Sequence, residues 1–115
     1  MSIERIQPGN WNSRAVIHEG IAYLSGIVAD DKSAGMKGQT ADVLTKIDAI
    51  LGGVGSDKNR ILSAVVYVSD QALKDQMNEA WMEWMDPAHP PARACVGSIE
   101  LEPAVLVEIM VTAAK

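Results

Sequence analysis

Two charged residues near the C-terminal end sit where charge is costly. Arg93 follows Pro90-Pro91 and opens a mostly apolar stretch, and Glu108 interrupts the run Val105-Leu106-Val107…Ile109-Met110-Val111. A charge in a strand that reads as buried must be paired or used. The guanidinium is a planar fork that fits a carboxylate bidentately, and the prolines stiffen its approach. Arg93 therefore suits a clamp for a substrate carboxylate. An interface salt bridge, to Glu108 itself for instance, fits the same residues at least as well. Glu108 among aliphatic neighbours suits proton transfer. The alternative is that Arg93, or a basic residue of another subunit, neutralises it and it only fixes assembly.

The remaining reactive residues carry weaker signals. Cys95 lacks a base, because no pattern places His18 or His89 beside it, and a free cysteine usually acts as a small buried hydrophobe. Ser25-Gly26 ends a strand, where a bare backbone N–H suits an anion or oxyanion, although a simple bend explains the pair too. Trp81 and Trp84 lie at helical spacing and read as core. Cys95, His18 and His89 have no zinc-ligand spacing, and no dinucleotide, P-loop or nucleophile-elbow motif occurs.

The elements that must hold these residues follow from periodicity. Residues 13–20 read as a strand ending in the turn His18-Glu19-Gly20, with 21–29 as its hairpin partner. Residues 39–52 form a helix whose apolar face is Val43, Leu44, Ile47, Ile50 and Leu51, stopped by Gly52, Gly53 and Gly55. Residues 60–70 read as a central strand. Asp70 is placed to cap a second helix with Leu73, Met77, Ala80, Trp81, Trp84 and Met85 along one side, ended by Asp86-Pro87. Two strands, 92–98 and 105–113, complete the chain. The order β-β-α-β-α-β-β predicts an α+β domain: one mixed sheet with two helices on one face.

Strand alternation then assigns faces. The cleaner apolar rows are Val105-Val107-Ile109-Val111, Leu62-Ala64-Val66-Val68 and Ala94-Val96, and these are expected under the helices. The opposite face would carry Ser63, Tyr67, Arg93, Cys95, Leu106, Glu108 and Met110. On this reading Arg93 and Glu108 share a side that is too apolar to stay bare, and a partner subunit is its simplest cover.

Composition sets the outer bounds. The 115 residues fit one domain spanning 1–115, 48% hydrophobic and 22% charged, which argues against disorder. A formal charge of -5 disfavours phosphate attraction, so no nucleic-acid partner is expected. No apolar run has membrane-spanning length, and the first residues lack a signal-peptide core. One cysteine fits a reducing cytosol, so a cytoplasmic protein is expected.

These residues, in this order, resemble the RidA family of reactive-intermediate (enamine/imine) deaminases, also called YjgF or L-PSP. The segment PPARACVGSIELEPAVLVEIMVTA is similar to the family's C-terminal signature, with its arginine at Arg93 and its glutamate at Glu108. AYLSGIVA resembles the strand ending in Ser-Gly, and VVYVSDQALKDQMNEAWMEWM the strand–helix segment, with Asn78 at a family asparagine. The resemblance implies a chorismate-mutase-like fold, a homotrimer with clefts between subunits, and hydrolysis of 2-aminoacrylate-like imines to 2-keto acids and ammonia with no cofactor or metal. It implies that Arg93 clamps the carboxylate and that Glu108 positions water or moves a proton. Ser25, Gly26 and Cys95 would line the cleft, and Asn78 would support it. The chain departs from the family pattern at Asn12, where characterised members carry a tyrosine, and at Ile27, where a glutamine often follows Ser-Gly; both bear on pocket shape and polarity. Two other functions compete: a carboxylate-binding regulatory trimer without turnover, and, more distantly, an endoribonuclease or translation inhibitor.

Overall fold

The computed structural model describes residues 2–115. Its elements run β1 (Glu4–Pro8), β2 (Ser13–His18), β3 (Ile21–Leu24), β4 (Ile27–Val28), α1 (Met36–Gly53), β5 (Ile61–Val68), α2 (Lys74–Trp84), β6 (Ala92–Val96) and β7 (Val107–Ala114). The strands form one sheet in the order β1-β2-β3-β7-β5-β6, with the short β4 also paired to β7. All pairs are antiparallel except β5 and β6, which α2 joins as a βαβ crossover and so lays parallel. The expected α+β architecture, a mixed sheet with two helices, is present.

The turns follow local chemistry. His18 pairs with Ile21 across a two-residue loop in which Glu19 and Gly20 have φ of 51° and 78°. Both are left-handed, which matches the loop to the twist of its strands. Asp70 does cap, accepting from the Ala72 N–H, but the cap opens a short 3-10 turn at Gln71–Leu73 that leads into α2.

The core lies between the sheet and the helices. Val43, Leu44, Ile47 and Leu51 of α1 meet Val107, Ile109 and Val111 of β7, while Met77 and Trp81 of α2 close the other end. Helix α1 begins at Met36, three residues before the expected start at residue 39, and buries Met36 together with the polar Gln39 and Thr40. Their polarity hid them from a reading of apolar spacing. Gln39 is fully satisfied: its Nε2 donates to the Ala104 and Ala34 carbonyls at 2.9 and 3.1 Å, and its Oε1 accepts from the Leu106 N–H at 2.9 Å.

Several expectations need correction. The first strand, β1, is extra; its burial is slight, so it carries no strong apolar pattern. The expected strand over 21–29 is broken at Ser25-Gly26, and the pairing with β7 slips there by one residue: Tyr23 faces Thr112, but Ile27 faces Ile109. Leu62 is not under the helices. A bulge lies between Ile61 and Ser63, so Ile61 turns inward at 5% exposure and Leu62 outward at 49%. In β6 the two faces are the reverse of the expected ones. Ala64 and Val66 of β5 are buried in the core and pair directly with Arg93 and Cys95, and laterally paired residues share a face. Arg93 and Cys95 therefore face the helices, and Ala94 and Val96 face the open side. Among the described residues no helix is long and apolar enough to cross a membrane.

Candidate active site

The structure divides the predicted site residues into two groups. The first lies on the helix side of the edge strand β6. There the Arg93 Nη2 donates to Asn78 Oδ1 at 2.7 Å, and its Nη1 contacts the Met77 sulfur at 3.5 Å. The guanidinium carbon sits 5.0 Å from the centroid of the Trp81 ring, a cation–π placement. Trp81 is fixed in turn by Trp84, whose ring centroid is 5.4 Å away and whose Nε1 donates to Asp48 Oδ2 at 2.9 Å. Sequence explains the gathering: Met77, Asn78 and Trp81 are neighbours on one helical face at i, i+1 and i+4. Cys95, two residues on, is partly buried against the core.

No ion pair among the described residues uses Arg93. Of the five N–H donors of a guanidinium, Asn78 and Met77 take two, so three stay available to a ligand. The arginine is held, but no carboxylate among the described residues answers its charge.

The second group lies where β2, β3 and β4 meet. Asn12, Ser25 and Gly26 line one cavity of about 160 Å3 with Gln7, Gly9 and Arg14. The Gly9 N–H donates to the Asn12 carbonyl at 2.7 Å, closing the turn that presents Asn12. The backbone N–H of Ser25 is not bare: it donates to the Arg14 carbonyl at 3.0 Å, and the Ser25 hydroxyl donates to the same oxygen at 3.2 Å. Ser25 is left with acceptor capacity only. Glu108 packs directly on Gly26, where a Cβ would lie 3.0 Å from the carboxyl carbon of Glu108. The absence of a side chain at residue 26 is what admits the carboxylate. Glu108 is half-buried rather than fully enclosed, and no ion pair among the described residues involves it.

Arg14, Gln7 and Trp81 are site neighbours that sequence reasoning missed as such. Arg14 was within reach of it: the two-residue turn at Glu19-Gly20 pairs His18 with Ile21, and counting back along that hairpin sets Arg14 opposite Ser25. A larger hollow, about 450 Å3, lies under the loop before β7 and includes Glu100, Glu102 and Ser69. It contains none of the candidate residues. No group of three or more potential metal ligands gathers among the described residues.

Comparison with known proteins gives a consistent picture. A family model described as Endoribonuclease L-PSP matches residues 2–115. The chain is 42% identical to a RutC family protein of Haemophilus ducreyi over 112 residues, covering 97% of this chain and 96% of that one. It is 37% identical to the RutC family protein YoaB of Escherichia coli over 114 residues, 99% of each. Among solved structures, a member of the YjgF protein family from Neisseria meningitidis superposes with a TM-score of 0.93 at 39% identity, covering 100% of this chain and 96% of that one.

Proposed function

Because the chain belongs to the L-PSP/YjgF/RutC family, the group that includes RidA, we propose that it hydrolyses reactive 2-imino and enamine acids to 2-keto acids and ammonia, in a cleft between subunits of a homotrimer. The observation that carries this reading is Arg93: a guanidinium held by Asn78, Met77 and Trp81 with no carboxylate partner among the described residues.

The chemistry asks little of the protein. An enamine tautomerises to an imine, whose carbon is already electrophilic. Water adds to that carbon, a proton moves to nitrogen, and the C–N bond breaks to leave a carbonyl and ammonia. The protein must hold the carboxylate, place the water and carry protons. Arg93 would take the first task. Glu108, seated on Gly26, would take the others. Ser25, with only its lone pairs free, would orient the water by accepting from it. Asn78 would position Arg93, while Cys95 would line the cleft floor. These roles need a second copy of the chain, because the Arg93 group and the Glu108 group lie on opposite faces of one sheet. The open face offers apolar cover for it: Tyr23, Leu62, Val96 and Met110 are all exposed there. A lone free cysteine accords with work in the cytoplasm.

The decisive experiment is ammonia release from 2-aminoacrylate generated in place by a pyridoxal-phosphate enzyme. The protein is expected to accelerate it, and Arg93→Ala to abolish the acceleration with assembly size unchanged by light scattering. Glu108→Gln should slow turnover by about 10²-fold or more, the usual worth of a positioned acid–base group, while a 2-keto acid still binds. No acceleration with a panel of imines would overturn the reading. RNA cleavage, the activity that the matched model's description names, serves as the control assay; the charge of -5 weighs against it.

A further inference from the structure

The second cavity holds a cation that the proposed reaction does not use. Arg14 lines it together with Asn12 and Gln7, and no ion pair among the described residues uses its guanidinium. Its position is fixed by the backbone. The Arg14 carbonyl accepts from both the N–H and the hydroxyl of Ser25, at 3.0 and 3.2 Å, so the residue is locked across from Ser25 at the break in the hairpin. Of the nearby carboxylates, Asp30 feels the Arg14 charge but forms its ion pair with Lys46, and Glu108 is seated on Gly26, which lines the same cavity; neither comes within ion-pair distance of Arg14. An arginine on a paired strand, in a cavity that Asn12 and Gln7 also line and with no carboxylate in direct contact, suits an anion that arrives with the ligand. The cavity of about 160 Å3 has room for a carboxylate and its stem, given that a water occupies about 30 Å3.

We propose that Arg14 anchors a second carboxylate, so that the preferred substrates are imines of 2-keto dicarboxylic acids. This rests on the deaminase reading for the place of the first carboxylate at Arg93. The two arginines would then grip the substrate from the two half-sites, one from each subunit, with Glu108 at the carbon between them. The Asn12 departure fits such a substrate, since an amide replaces an aromatic ring where a polar arm would lie.

The test is selectivity. Turnover is measured with the imine of 2-oxoglutarate and the imine of 2-oxobutanoate, each generated by an amino-acid oxidase. The wild type is expected to favour the dicarboxylic imine in kcat/KM. Arg14→Gln should lower that ratio about tenfold or more, the worth of one charge-assisted hydrogen bond, and Arg14→Lys should restore part of it. A merely structural Arg14, or one that only serves Glu108, would lower both rates together and leave the ratio unchanged, and that result overturns the inference. Light scattering checks that the variants assemble. If the wild type releases ammonia from neither imine, the deaminase reading fails, and calorimetry decides the inference separately. Tighter binding of 2-oxoglutarate than of 2-oxobutanoate, lost in Arg14→Gln, supports it; equal affinities or no binding overturn it.

Discussion

Arg93 and Glu108 stand on opposite faces of the same sheet. Strand β5 registers both: its Ala64, turned into the core, pairs with Arg93, and its Tyr67, turned outward, pairs with Glu108. Tyr67 lies three positions after Ala64, an odd offset, so alternation alone puts the two charges on different sides. This excludes a salt bridge between them within one chain, the simplest non-catalytic account of both. It also means that no small ligand can touch both in a single copy. A shared site requires the helix-side edge of one molecule to meet the open face of another, which converts assembly from a matter of stability into a condition for chemistry.

Asn78 tests whether Arg93 is positioned for a ligand. Its Oδ1 accepts from Nη2 at 2.7 Å. Asn78→Ala removes that hold and should raise KM severalfold, the net worth of one hydrogen bond being about 1 kcal/mol. Asn78→Asp should be worse, although it preserves shape and strengthens the contact. It supplies the guanidinium with a permanent carboxylate that competes with substrate. Steady-state kinetics with both variants check the order; an Asn78→Asp enzyme with unchanged KM would show that Arg93 does not bind the substrate carboxylate.

Gln39 tests the support beneath the site. It is fully buried and ties α1 to the segment entering β7, where Ala104 sits at a left-handed φ of 67°. Gln39→Leu keeps the volume but leaves the Leu106 N–H and the Ala104 carbonyl unanswered. The expected loss is about 2–6 kcal/mol in denaturant unfolding, from two groups left unsatisfied at about 1–3 kcal/mol each. Gln39→Glu should be at least as harmful, because it loses the donors and buries a charge.

How far the sequence spoke depended on strand length and burial. In β7, eight residues alternate without a break, and every odd position from Val107 to Ala113 is buried as parity predicts. In β6 only five residues are available, and Arg93, Cys95, Ala94 and Val96 differ too little in the burial they demand. Ala94 and Val96 make the more apolar row, yet Trp81 and Met77 take up the Arg93 guanidinium on the helix side, where a long amphipathic side chain is readily accommodated. The neighbouring strand, not the strand itself, decides its face. The Leu62 error has another origin: a bulge shifts parity by one, and nothing in Ile61-Leu62-Ser63 announces it. Of the site, Asn12, Ser25 and Gly26 came together as a motif reader would expect. Arg14 was missed because it belongs to no motif, only to a register.

Acid titration should report one surface tie. The Lys46 ammonium hydrogen-bonds Asp30 at 2.8 Å and holds its carboxyl below the ordinary value of 3.8. The unfolded chain therefore takes up this proton first as pH falls. The contribution is complete above pH 3.8 and is lost as pH drops toward the lower folded value. Asp30→Asn should melt slightly below wild type at neutral pH, with the gap closing under strong acid and under high salt, since the pair is exposed. Melting curves at several pH values check this; a gap that widens in acid would contradict the sign.

Gly26 joins the fold to the chemistry most directly. Its φ is not left-handed, so backbone strain does not demand glycine there. Space does. A Cβ would run into a Glu108 carboxylate oxygen and stand 3.0 Å from its carboxyl carbon and 3.3 Å from its Cγ, tighter than most packed atoms lie. Something must shift, and the half-buried Glu108 side chain is freer to move than the paired backbone of β4 and β7. Gly26→Ala is therefore expected to leave the melting temperature nearly unchanged and to reduce kcat by about tenfold or more, because an ångström of misplacement in a positioned group is felt that strongly. KM should change little if Arg93, in the other half-site of the proposed cleft, sets it. Glu108→Gln supplies the comparison: if the carboxylate acts where Gly26 seats it, the double variant should be hardly slower than Glu108→Gln alone. A double variant in which the two losses multiply would place the role of Gly26 elsewhere in the cavity.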